Sequence, residues 1–235
     1  MIVRRGQVIV GQRAGAGTSI EGMLIEECEI TGCRIDLPGD PRQRPRFTRL
    51  TLVNNVIDQM AVQGALIEDS TVDGVRMLSD RQLFVIAGCV FCHVTFRGTF
   101  HVTNVLGDLL DSAPNSTKEA YREANTSFYQ NLIKAGDWAL DISEVQGEVS
   151  IRGIPSQVIR RNPETQIVMT FEQALLGEWR TIQGVMESVI GVKIGMLLDN
   201  GWPDVILATG RHRTRFVDEL KILRELQRAG VAQLD

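Results

Sequence analysis

One stretch limits the possible folds more than any other: Leu50 to Met77, where a large apolar residue returns every five positions. The series is Leu52, Ile57, Val62, Ile67, Val72 and Met77. Two residues ahead of each stand Leu50, Asn55, Met60, Ala65, Ser70 and Val75, and much of the remainder is polar (Asp58, Gln59, Gln63, Glu68, Asp69, Asp73). An α-helix repeats its apolar face every three to four residues, and a strand every two. A step of five fits a squared coil, with one large side chain per side and a bend between sides. Four sides make a turn of about twenty residues, and turns stack at the inter-strand spacing of about 4.8 Å. The large residue fills the centre. The residue two before it also faces inward, near the corner.

The same step occurs twice more. Ile25, Ile30 and Ile35 follow Met23, Cys28 and Cys33, and Ile86, Phe91 and Phe96 follow Phe84, Cys89 and Val94. Between the first two tracts, Leu37 to Arg46 holds Pro38, Pro41 and Pro45. Proline cannot donate to a ladder of backbone hydrogen bonds, so this segment is expected to be a loop that leaves the coil. Ahead of Met23, a strand over Gln7 to Val10 and a flexible turn through Gly11, Gly15 and Gly17 are expected.

The units Cys28-Glu29-Ile30-Thr31-Gly32, Ser70-Thr71-Val72-Asp73-Gly74 and Val94-Thr95-Phe96-Arg97-Gly98 resemble those of the pentapeptide-repeat family. The resemblance covers about residues 23–106. It implies a right-handed quadrilateral β-helix. The sequence departs from the family pattern in using Ile and Val where Leu and Phe are usual, and in the bulk of Leu50, Asn55 and Met60. An ordinary β-sandwich with coincidental spacing is the alternative fold. Some members of the family imitate DNA with an acidic β-helix and bind type II topoisomerases. The resemblance therefore implies an immunity or protection protein that binds a toxin or a topoisomerase.

After Leu110 the pattern changes. Asp111 to Asn115 reads as a linker, and Ser116-x-x-Glu119 has the form of a capping box for a helix ending at Gly136. Ala120, Tyr121, Ala124, Phe128, Leu132 and Ile133 are its expected apolar face. Hairpins are expected around Gln146-Gly147 and around Asn162 to Thr165, unless these strands add a layer to the β-helix. Glu172 to Asp199 reads as helical with a break at Gly177 or Gly184, and Asn200 to Asp204 as a break. Thr214 to Ala229 is a last amphipathic helix, with Phe216, Leu220, Leu223 and Leu226 on one side.

Several chemistries can be weighed at named residues. Cys89-x-x-Cys92-His93 matches a haem-attachment motif, and with His101 it offers zinc ligands. Phe91 is a central residue, however, which turns Cys89 inward and Cys92 outward, so the ligands divide across the wall. Cys28 and Cys33 read as core residues. Asp137, Asp141, Glu144 and Glu148 have no His, Lys or metal-ligand pattern beside them and read as solvent-facing strand positions. No nucleophile elbow, Walker loop, zinc-protease motif or dinucleotide fingerprint is present. Two arginine clusters remain as candidate partner-binding residues: Arg42, Arg44, Arg46 and Arg49 on the loop, and Arg211, Arg213 and Arg215 before the last helix.

The expectation is a mainly β protein with an α+β C-terminal part, divided at 1–110 and 111–235. Its function is expected to be that of a non-catalytic protein-binding scaffold of bacterial type, without a cofactor. The rival is an enzyme with its site between the β-helix and the C-terminal helices. The stripe on the last helix suggests a homodimer. A net charge of −4 argues against nucleic acid as a partner, and the lack of a long apolar run argues against a membrane. With no signal-peptide pattern, the expected location is the cytoplasm.

Overall fold

A computed structural model describes residues 1–78, 84–100, 103–146, 149–209 and 216–233. The chain forms a β-solenoid of four turns, each contributing to four sides, followed by helices and an antiparallel pair. The first turn is β1 (Ile2–Arg5), β2 (Val8–Val10), β3 (Arg13–Ala14) and β4 (Ser19–Glu21). The second is β5 (Met23–Glu26), β6 (Glu29–Thr31), β7 (Arg34–Ile35) and β8 (Arg46–Thr48). In the third, β9 (Thr51–Asp58) bends across two sides and is followed by β10 (Ala61–Gln63) and β11 (Leu66–Glu68). The fourth is β12 (Thr71–Met77), β13 (Phe84–Ala87) and β14 (Val90–Cys92). All pairing between these turns is parallel.

The five-residue step becomes columns. Ile25, Leu52, Val72 and Phe96 stack on one side, and Ile30, Ile57 and Met77 on the next. Ile35, Val62 and Ile86 form the third column, and Phe47, Ile67 and Phe91 the fourth. These residues face a common lumen. Ile and Val are shorter than Leu and Phe, and the lumen retains an apolar void of about 180 Å³ lined by residues such as Ile25, Leu52, Val62 and Val72.

Corners need a sharp bend, and residues in the left-handed region make many of them. One corner column is Gly22, Arg49, Asp69 and His93, with φ of 63°, 55°, 48° and 54°. Just after three of the bends a backbone amide donates to an inward side chain of the following turn. Asn55 accepts from Cys28 N, Ser70 from Leu50 N and the Cys89 thiol sulfur from Ala65 N. Asn55 thus fills a small-residue position because its amide is used: it also donates to Ile25 O at 3.0 Å.

The solenoid begins earlier than the periodicity suggests. Residues 2–21, expected to hold one strand and a flexible turn, form a complete first turn paired with the second. Its central residues are Arg4, Ile9, Ala14 and Ile20. A charge and a methyl group at two of the four positions hide the pattern.

After the fourth turn, β15 (Val94–Phe100) and β16 (Thr103–Leu106) start a fifth, and the chain then leaves for α1 (Asn115–Ala135). Helix α1 starts at Pro114 with no side-chain cap, because Ser116 already lies within the helix and the expected capping box does not form. It ends at Gly136, as expected. Its buried residues are Tyr121, Asn125 and Tyr129, so the face is turned from the expected one and Ile133 is exposed. Asn125 donates to Gly88 O and Gly107 O at 3.1 and 3.2 Å, and Tyr129 to Cys89 O at 3.3 Å. The helix is thereby fastened to a solenoid corner.

The expected hairpins are replaced by further coil. β17 (Leu140–Val145) stacks parallel on β15 and β18 (Val149–Arg152) on β16, so the two strands lie in different sheets. β19 (Ile159–Arg160) adds to β17, while β20 (Gln166–Thr170) belongs to the other sheet. The coil therefore continues past residue 110, resuming after the excursion through α1.

The chain then caps the stack. α2 (Phe171–Leu176) ends at Gly177, and α3 (Val189–Asn200) ends at Gly201. β21 (Asp204–Ala208), a strand with no counterpart in the expectations, runs antiparallel to both β20 and β18. α4 (Phe216–Arg228) completes the cap. A second core forms here from Ile167, Met169, Trp179, Ile190, Leu207 and Leu226, among others. Leu223 and Leu226 of α4 are buried in it, so the stripe that suggested a homodimer packs within the chain. No described helix is long and apolar enough to cross a membrane.

Candidate functional site

The two ends of the stack differ. At one end, β21 covers β18 and the second core lies behind it. At the other, among the described residues, the strands of the first turn pair only with the second turn, and their outer backbone groups have no strand partner. Ile2, Val3, Val8 and Val10 on this turn are 55%, 45%, 66% and 60% exposed. A row of unpaired backbone groups beside exposed β-branched side chains is a template for strand addition. Arg4 stands at the foot of the Ile25–Leu52 column. A charge in an otherwise apolar column marks this end as built to stay in contact with water or with a polar group.

The loop arginines do not converge. Arg42 folds back on Asp40 at 2.8 Å and remains exposed, and it holds that carboxyl below the usual range. Arg44 turns inward: it donates to Pro41 O at 2.9 Å and Asn125 Oδ1 at 3.0 Å, and lies 5.1 Å from the centre of the Tyr121 ring. It thus joins the loop to α1. Arg46 is exposed on β8, and Arg49 sits at the next corner, paired with Glu21. Arg211, Arg213 and Arg215 lie outside the described residues.

The Cys89–Cys92–His93 segment divides as its position in the coil requires. Cys89 is buried, with its thiol pushed up to about 12 by desolvation, and Cys92 is on the outer surface, half-buried. All four cysteines are free. His101 and Glu148 lie outside the described residues. His93 instead sits between two carboxylates, with Nε2 at 2.9 Å from Asp137 and Nδ1 at 3.2 Å from Asp69. Hydrogen bonding to Asp137 is the main cause that raises the His93 pKa, with Asp69 assisting. The Trp138 ring lies 5.2 Å from the imidazole and carries the Arg160 guanidinium on its face at 4.3 Å. This cluster joins the fourth-turn corner to the segment that brings the chain back from α1. Spacing did not reveal it, because Asp69, His93 and Asp137 meet only once the coil is closed.

Three solenoid acids are answered by arginines one turn away. Glu26 pairs with Arg5, Glu21 with Arg49, and Asp73 with Arg97 at 2.9 Å.

No protein-family model matches the chain, and no curated protein sequence matches it either. Among solved structures, the chain is similar to trypsin-treated QnrB1, a plasmid-mediated fluoroquinolone resistance protein. The superposition covers 77% of this chain and 97% of that one, at 13% identity and a TM-score of 0.21. An overlap this loose carries no argument about function or partner.

Proposed function

We propose that this protein is a non-catalytic binding scaffold of the pentapeptide-repeat type, whose open first turn meets a protein partner. The observation that carries this reading is the contrast between the ends: at one, β21 and the second core cover β18, while at the other the first-turn strands have no outer strand partner among the described residues and lie beside exposed Ile2, Val3, Val8 and Val10. Strand addition along that edge supplies backbone hydrogen bonds, and the alternating side chains supply selectivity. The arginines that remain exposed, Arg42, Arg46 and Arg49, form a second candidate contact on the flank.

A toxin or a topoisomerase is the partner class that the family resemblance implies. Arginines beside Glu21, Glu26 and Asp73 interrupt the unneutralised negative surface that imitation of a nucleic-acid backbone needs, which favours recognition through backbone and apolar groups. A cytoplasmic location accords with four free cysteines.

The test is affinity capture from the native host with the full chain and with variants. Val8→Lys and Val10→Lys alter exposed side chains and are expected to leave folding intact while removing the dominant partner. Arg42→Ala, Arg46→Ala and Arg49→Ala measure the part played by the loop. Absence of any partner, or a dominant partner retained by every edge variant, overturns the reading.

A further inference from the structure

Where the solenoid meets the C-terminal helices there is a cavity of about 330 Å³. Its walls come from both cores: Asp108 follows β16, Lys118 and Arg122 stand on α1, Arg152 ends β18, and Asn200 and Trp202 come from the cap. Three cations face two carboxylates. Arg122 is answered by Asp108 at 3.2 Å and Lys118 by Asp111 at 3.3 Å. Arg152 is not answered by a carboxylate among the described residues. Its Nη2 donates to Asn104 Oδ1 at 3.2 Å, its Nη1 meets the Met196 thioether at 3.1 Å, and its Nε is buried with no acceptor. The guanidinium also lies 5.9 Å from the centre of the Trp202 ring.

Arg152 is half-buried, and even partial removal of a guanidinium from water without an anion is costly. A thioether is a weak acceptor, and methionine moves aside readily. The fork of Arg152 therefore has one good acceptor where a carboxylate or phosphate would provide two or more. Burial also pushes the Arg152 pKa down, with no opposing carboxylate to restore it.

We propose that this cavity binds a small oxyanion, a carboxylate or phosphate group, on the guanidinium of Arg152. Arg122 and Lys118, each paired with a carboxylate, flank the site and leave the cavity lining one cation in excess, Met196 swings away to free Nη1, and Trp202 forms the apolar wall for whatever the oxyanion is attached to. A ligand held here bridges the solenoid and the cap and tightens the junction between them.

The test is titration of the full chain with inorganic phosphate and, separately, with succinate, followed by calorimetry and by thermal unfolding. Saturable one-to-one binding of either, with a rise in melting temperature, is expected; which probe binds identifies phosphoryl or carboxylate recognition. Arg152→Gln is expected to weaken binding about tenfold or more, the usual effect of losing a charged hydrogen-bond donor. If Arg152→Gln does not fold, the Arg122→Gln/Lys118→Gln double variant carries the test, since it lowers the local charge at the rim. No saturable binding of either probe, or unchanged affinity in the variant that folds, overturns the proposal.

Discussion

The side-chain oxygen of Asn55 accepts the backbone N–H of Cys28, in the preceding turn of the solenoid, at 2.9 Å. The same amide side chain donates to Ile25 O, and Asn55 is wholly buried. Asn55→Ala leaves the N–H of buried Cys28 without this acceptor and takes a donor from Ile25 O. Each such loss costs roughly 1–3 kcal/mol, so the expected fall in unfolding free energy is about 2 kcal/mol or more, read by urea denaturation. Ser70→Ala, which removes the acceptor for Leu50 N, is expected to act in the same direction.

Gly107 approaches the strand above it so closely that a Cβ there would overlap the Gly153 carbonyl oxygen. Backbone on both sides leaves no side chain to yield. Gly107→Ala is expected to destabilise the chain by about 3 kcal/mol, and to loosen α1, because Asn125 is anchored on the Gly107 carbonyl. Circular dichroism melts of the variant and of Gly15→Ala, where a Cβ meets nothing, check the difference.

The two arginines Arg42 and Arg44 should separate cleanly. Arg44→Met strips Asn125 Oδ1 of its donor and is expected to cost about 1–3 kcal/mol. Arg42→Ala breaks only an exposed pair with Asp40, and its effect on stability is expected to stay within about 0.5 kcal/mol. Equal effects in denaturant titrations would contradict the structural division between them.

The imidazole of His93 between Asp69 and Asp137 makes stability depend on pH. Its folded pKa is raised, so its contribution is fully present below the unfolded value of about 6.5 and is lost as pH rises through the folded value. Asp137 has its pKa lowered, first by His93, so its own contribution is present at neutral pH and disappears as the solution is acidified below the ordinary carboxylate range. Unfolding midpoints measured from acid to mildly alkaline pH are expected to fall at both ends. His93→Gln should flatten the upper limb, and an unchanged upper limb would remove this account.

The columns of the solenoid were legible because a central position tolerates only apolar bulk, and Ile57 or Phe91 cannot be moved off it without exposing the lumen. The first turn was not legible because Arg4 and Ala14 occupy central positions where lumen filling has ceased to matter. Strand β21 was missed because Val205 to Leu207 is a short apolar run directly after a turn, and such a run does not declare its partner. The expected hairpins failed for a related reason: Leu140 to Val145 and Val149 to Arg152 have strand character, but local sequence does not say whether consecutive strands pair with each other or with the turn beneath. The candidate edge was half visible as the strand Val8–Val10, and the His93 cluster and the Arg152 cavity were invisible, since their members come from distant turns.

A stack covered by the second core and β21 at one end and bare, among the described residues, at the other has a mechanical direction. Each turn is held mainly by its neighbours, and the first has a neighbour on one side only. A pull on the N-terminus therefore peels turns away one after another, as a rope frays from its unbound end. The same pull on the last helix must break the second core before any coil yields. Force applied through a partner gripping the first turn would be met by a series of small ruptures, and force applied through the cap by a single large one.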